Sequence, residues 1–209
     1  ANKRDWSFYS NNGGTITATE KAAIGTYKGT TTITGGNITG ATYGVYTTAG
    51  TTVITGGTIK ATGGYIDSGE EAAIGAYIGK GYITEGSEDI VAGTLTIGSW
   101  TEGDTDAPST TVPSIEGVIE GVRHEAGTFN FYDGILKGSE NNVIRGGTSQ
   151  IPTGYAVQKT TSEGVETAIL VATNYAEYNG STFVKYYGTI EEAFEGVTKN
   201  PRAIRKRKS

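Results

Sequence analysis

Apolar residues in this chain fall in short groups, separated by Thr and interrupted by glycine pairs. In "TTVITGGTIKATGG" (51–64), Ile54 and Ile59 sit among threonines on either side of Gly56-Gly57. Alternation of apolar and polar positions over four or five residues predicts a strand on each side. The glycine pair predicts a corner, where a positive φ or a missing Cβ is needed. The pattern recurs: "GGTI" at 13–16, "GGNI" at 35–38 and "GGTI" at 56–59, in steps of 22 and 21 residues. "TTTITGGNITG" (30–40) aligns with "TTVITGGTIKA" (51–61), and "AAIGTY" (22–27) returns as "AAIGAY" (72–77). A fainter copy, "AGTLTIG", follows at 92–98. A more distant one, "NFYDGILKG" (130–138), places Phe131 for Ile54, Gly134 for Gly57, Leu136 for Ile59 and Lys137 for Lys60.

A period of about 20–22 residues with short strands predicts one coil of a β-solenoid. Each strand would pair in parallel with its counterpart in the next coil. Ile16, Ile33, Ile38, Ile54 and Ile59 would stack inward, and Thr would fill outward positions because it is β-branched yet polar. The fold expected is all-β, a right-handed parallel β-helix over residues 1–150, with an exposed loop insertion at 101–114 ("TEGDTDAPSTTVPS"). Residues 151–198 read as a cap. "GYAVQKTTSEGVETAILVA" gives two strands around a polar turn, and Asn179-Gly180 marks a second hairpin. Thr189 and Glu192 have capping-box spacing for a short helix over 189–197. Residues 199–209 form a basic tail.

Composition sharpens this picture. Gly contributes 33 and Thr 34 of 209 residues, without a collagen period, which suits many short strands and tight turns. Cys is absent, which excludes disulfides, thiolate metal sites and a thiol nucleophile. Met is also absent and the chain starts at Ala1, so removal of a leader or trimming is expected. No apolar run is long enough for a membrane span. The tail holds Lys199, Arg202, Arg205, Lys206, Arg207 and Lys208 and no acid, leaving 11 bases against 22 acids elsewhere. An acidic body is not expected to bind nucleic acid.

The coils "ITGGTIKATG" resemble right-handed parallel β-helix modules of the pectate-lyase-like type, found in large secreted and cell-surface bacterial proteins. "GTFNFYDGILKG" with "IPTGYAVQKT" and "ETAILV" is similar to stretches of those surface proteins. "AEYNGSTFVKYYGTIEEAFEGV" is similar to the segment that opens a β-helix module in them. The resemblance spans most of residues 13–197. It implies an extracellular or cell-surface location and a structural or adhesive role, as a module of a surface protein or a self-assembling fibre subunit. A carbohydrate-binding or polysaccharide-cleaving β-helix is the alternative.

The chemistry-bearing residues are few. Enzymes of that fold use clustered carboxylates, and no Asp-Asp pair or catalytic constellation is present, so no catalytic residue is assigned. Glu102, Asp104 and Asp106 alternate in the loop and are the Ca²⁺ candidates, against the simpler reading of a solvated acidic loop. His124, the single His, sits between Arg123 and Glu125, which on a strand would face the other way. Tyr27, Tyr43, Tyr46, Tyr65, Tyr77 and Tyr82 fall near coil ends and are candidates for a glycan-binding row, or for ordinary Tyr ladders. Trp6, Phe8 and Tyr9 at one end, with Arg202, Arg205, Lys206, Arg207 and Lys208 at the other, are candidates for head-to-tail self-assembly. Thr-x-Thr rows on a flat solenoid can bind ice. Beside the glycine pairs, however, Asn37 and Lys60 break the row and its register changes, which sets that reading aside.

Overall fold

The computed structural model describes residues 8–63, 66–67, 70–82, 90–101, 107–179, 182–187 and 203–206. Every regular element among them is a β-strand. The strands return, tier after tier, to the same three positions. The first tier holds β1 (Phe8–Thr17) and β2 (Ala22–Thr26), and the second β3 (Thr30–Gly40) and β4 (Tyr43–Thr47). The third holds β5 (Thr51–Ala61), the short pair β6 (Ile66–Asp67) and β7 (Glu70–Glu71), then β8 (Ile74–Ile78). A hairpin of β9 (Lys80–Tyr82) and β10 (Ile90–Ala92) precedes the fourth tier: β11 (Thr94–Ile97), β12 (Ser114–Gly117) and β13 (Glu120–His124). The fifth contains β14 (Thr128–Phe131), β15 (Ile135–Ser139) and β16 (Ile144–Gly146).

Between tiers the pairing is parallel. The first half of β5 pairs with β3 and β11, and its second half with β3 and β12. A single strand therefore turns a corner and serves two faces. The third face is the all-parallel sheet β2-β4-β8-β13-β16. A parallel pair buried on one side builds in-line ladders of like residues. Ile33, Ile54, Ile97 and Phe131 form one such ladder, all fully buried. Ile38, Ile59, Ile115 and Leu136 form another, with half-buried Ile16 at its start. Val45, Ala76 and Val122 fill the third face from within. The distant copy at 130–138 thus aligns as expected: Phe131, Leu136 and Lys137 fall in register with Ile54, Ile59 and Lys60 through the fourth tier.

One corner carries a polar core. Thr26, Thr31, Thr47 and Thr52 are buried and bond only short distances apart. Thr26 Oγ1 donates to Thr31 Oγ1 at 2.7 Å, Thr52 Oγ1 donates to Thr26 Oγ1 at 2.9 Å, and the Thr47 and Thr52 hydroxyls lie 2.7 Å apart. In the next two tiers the same register positions hold Ile78 and Leu95, then His124 and Phe129.

The far end of the second face is closed by a hairpin. β17 (Tyr155–Ser162) and β18 (Val165–Ala172) turn through Glu163 and Gly164, both at positive φ, and β18 pairs antiparallel with β15. The predicted polar turn is therefore present. A second hairpin follows, β19 (Tyr175–Asn179) with β20 (Thr182–Tyr187). Asn179 pairs with Thr182, so Asn179 belongs to the strand and not to the turn in which the Asn179-Gly180 signal placed it. The basic tail is not wholly free: β21 (Ala203–Lys206), which includes Arg205 and Lys206, pairs antiparallel with β19. The predicted helix over 189–197 lies outside the described residues, as do Trp6, Arg202, Arg207 and Lys208. Phe8 and Tyr9 lie in the backbone of β1.

Candidate functional site

The outer surface of the third sheet gathers most of the polar and aromatic chemistry. Its register sets Gly25, Tyr46, Tyr77, Arg123 and Arg145 in one row across β2, β4, β8, β13 and β16. The two "AAIG" segments are not equivalent in space. Gly25, not Tyr27, matches Tyr77, a shift of two residues from the repeat alignment. Gly25 has no side chain, and a Cβ there would lie 2.8 Å from the Tyr27 ring, which folds back over the vacant position.

Tyr27, Tyr43, Tyr46 and Tyr77 are thereby brought together. Tyr46 and Tyr77 stack with ring centroids 4.6 Å apart and planes 4° from parallel. Tyr43 tilts against both, at 5.0 and 5.6 Å, and Tyr27 tilts over Tyr46 at 5.7 Å. The faces of Tyr46 and Tyr77 are turned to each other along the stack. A sugar ring would need such a face turned outward. Tyr27, 58% exposed, ends the row with a ring open to solvent. Tyr82 is exposed on the separate β9–β10 hairpin, opposite Ile90, and Tyr65 lies outside the described residues.

Beyond Tyr77 the row becomes ionic. Glu120 is fully buried and accepts two hydrogen bonds from Arg123, at 2.6 and 2.7 Å, and one from Arg145 at 2.6 Å. Burial alone would push the Glu120 carboxyl up. The Arg123 and Arg145 hydrogen bonds and charges outweigh it and hold the carboxyl below the usual range. The Tyr77 hydroxyl donates to Glu125 at 2.7 Å. Burial first, then the Glu125 carboxylate, pushes the Tyr77 phenol well above its ordinary value. A catalytic acid needs a carboxyl shifted upward, and Glu120 is shifted the other way.

His124 points inward from the same strand, as alternation requires, with its ring edge-on to Phe129 at 6.1 Å. Its Nε2 lies 3.0 Å from the Gly127 carbonyl, which requires Nε2–H to be the donor. Nδ1 is buried without a partner, against Gly147. A cavity of about 360 Å³ opens beside it, lined by Arg123, His124, Glu125, Arg145, Gly146 and Gly147. Sequence reasoning singled out His124 and its neighbours. It missed Glu120 and Arg145, because their meeting depends on tiers 25 residues apart coming into register. Among the described residues no group of three His, Asp or Glu is placed to hold a metal ion. Glu102, Asp104 and Asp106 lie outside them. No protein-family model, curated protein or solved structure matches the chain.

Proposed function

We propose that this chain is a right-handed parallel β-helix module with a structural or adhesive role at a cell surface or in an extracellular fibre. The observation that supports it most is how the outward reactive groups are used. Glu120 is neutralised by two arginines, Glu125 holds the Tyr77 hydroxyl, and Tyr46 and Tyr77 spend their faces on each other. Apart from the Glu120–Arg123 pair, which lies within one strand, these are lateral ties between tiers, and such ties stiffen a rod. The pectate-lyase-like resemblance of the coils and the in-line ladders of isoleucine point the same way.

Carbohydrate binding is the second reading, favoured by the cavity beside exposed Arg145 and by the open ring of Tyr27. Two measurements separate them. A structural module sediments as an elongated particle and releases neither reducing ends nor unsaturated sugars from a panel of acidic and neutral polysaccharides. Retention on a polysaccharide gel that Arg145→Ala and Tyr27→Ala both weaken would replace the structural reading with the carbohydrate one.

A further inference from the structure

The tyrosines on the outer side of the third sheet touch one another in sequence, from solvent to core. Tyr27 is 58% exposed, Tyr46 is half-buried and Tyr77 is 9% exposed. The Tyr27 and Tyr46 ring centroids are 5.7 Å apart, and those of Tyr46 and Tyr77 are 4.6 Å apart with the rings nearly parallel. Tyr43 leans on both inner rings, at 5.0 and 5.6 Å. π-Systems this close exchange an electron readily, so the row is electronically continuous. Its inner end carries a proton acceptor. The Tyr77 hydroxyl donates to Glu125 Oε2 at 2.7 Å. The Glu125 backbone N–H donates to the Ile78 carbonyl at 2.9 Å, which fixes that residue beside the strand of Tyr77.

These features meet what oxidation of a phenol requires. A phenol that loses an electron becomes a strong acid, so its proton must leave with the electron. A base already hydrogen-bonded to the hydroxyl decides which phenol is oxidised most easily. At Tyr77 a radical cation is disfavoured twice, by burial and by the Arg123 guanidinium, which follows Tyr77 in the row. Transfer of the proton to Glu125 avoids that cation and leaves a neutral radical beside a neutral carboxylic acid. Deprotonation without oxidation is opposed instead, since burial and the Glu125 carboxylate push the Tyr77 phenol up. Tyr82 supplies the contrast: it is 59% exposed on the β9–β10 hairpin, and no described ring packs against it.

We propose that the tyrosine row is a path for one-electron oxidation, entered at Tyr27 and ending in a radical held on Tyr77 with its proton on Glu125. The oxidant is of the diffusible radical class, a peroxyl or phenoxyl radical. It takes a hydrogen atom from the Tyr27 hydroxyl: that O–H bond breaks, and an O–H bond forms on the oxidant, which is reduced by one electron. The Tyr27 radical then takes an electron through Tyr46 from Tyr77, and a proton from solvent, and is a phenol again. Tyr77 loses that electron, and its hydroxyl proton passes to Glu125. One oxidising equivalent has moved from the surface into the wall of the coil, where it is shielded from coupling with a second chain. The proposal goes beyond the structural reading and does not depend on it.

The full chain is the material for the test. Photo-oxidised ruthenium tris-bipyridyl with persulfate stands in for the oxidant, and freeze-quench electron paramagnetic resonance reads the radical. Wild type is compared with Tyr77→Phe, Glu125→Gln and Tyr82→Phe, each first checked for an unchanged circular dichroism spectrum. Wild type and Tyr82→Phe are expected to give the same long-lived tyrosyl signal. Tyr77→Phe should lose it. Glu125→Gln leaves every ring in place but removes the base, and should lose it too, so the test stands even if Tyr77→Phe fails to fold. In both of these variants the oxidising equivalent stays at Tyr27, and dityrosine fluorescence from linked chains should rise. A wild-type signal that survives Tyr77→Phe overturns the proposal, as does one indifferent to Glu125→Gln. A wild-type protein that yields only dityrosine-linked chains overturns it as well.

Discussion

Gly57 shows at a single residue why the coil pattern is written as it is. Its φ is +86°, and a Cβ there would lie 2.6 Å from the Gly36 carbonyl oxygen and 2.7 Å from the Gly35 carbonyl carbon. The corner therefore needs glycine for conformation and for space. Gly57→Val is expected to destabilise the protein by at least about 1–3 kcal/mol, the cost of a strained backbone alone; an unaltered thermal midpoint would refute the corner. Glu120 makes a different residue-level prediction. Its carboxyl is held below the 4.5 of an unconstrained glutamate, so its stabilisation is complete above about pH 4.5 and is lost as pH falls through the lower, folded-state value. Asp133 is shifted upward by burial, despite the Gly134 and Ser109 backbone bonds, and so favours the folded state as pH falls. Comparing wild type with Glu120→Gln cancels that opposing contribution. The variant should lose about 3 kcal/mol at neutral pH, where it strips a buried charge from two arginines, and the gap should narrow on acidification. A gap independent of pH would mean the ion pair contributes nothing.

Among elements, the ladder is the unit of stability, and the threonine corner tests it. Thr52 is fully buried and bonds both Thr47 and Thr26. Thr52→Val leaves those partners short of a hydrogen bond inside the core, at a cost of about 1–3 kcal/mol. Replacing Thr26, Thr31, Thr47 and Thr52 together by Val removes every polar group of the set at nearly constant shape. That variant should regain most of the loss, and denaturant titration of the two proteins would read the difference. The molecule already contains the apolar solution, since Ile78 and Leu95 occupy the same positions one tier on. A quadruple variant less stable than Thr52→Val would show that the network is worth more than its parts.

At the scale of the whole molecule, the ends matter most. Among the described residues β1 and β2 pair on one side only, and a cavity of about 430 Å³ opens there between Ile16, Ala23, Ile24, Tyr27 and Thr31. An unpaired edge over an apolar opening is a template for another chain. The proposed head-to-tail stacking joins this end to the far one and is heterologous, so it grows an open filament. Attraction between the basic 199–209 segment and the acidic remainder is screened by salt. Sedimentation velocity at low ionic strength should therefore show self-association that Arg207→Glu with Lys208→Glu reduces. A monomer at high concentration under those conditions would end the stacking proposal. Chelation makes a further prediction: EDTA should leave the melting temperature unchanged, and a fall would identify Glu102, Asp104 and Asp106 as a Ca²⁺ site.

The sequence by itself determined what depends on local pattern. The glycine corners at 36, 57 and 134, the inward isoleucines at 33, 38, 54 and 59, the polar turn of the hairpin that follows residue 154 and the opposite facing of His124 and its two neighbours all follow from alternation and turn chemistry within a few residues. Even the distant match of Phe131 and Leu136 to Ile54 and Ile59 was legible, because inward positions tolerate only large apolar side chains. Everything that depends on distant register was decided by the tertiary structure. Insertions at corners change the step between paired strands from 21 residues to 43 and 34 without disturbing the strands on either side, since a loop at a corner adds little closure entropy and no clash. Sequence spacing then no longer reports which residues are neighbours. That is why the two-residue shift of Tyr77 against Tyr27 and the meeting of Glu120 with Arg145 appear only once the tiers are stacked.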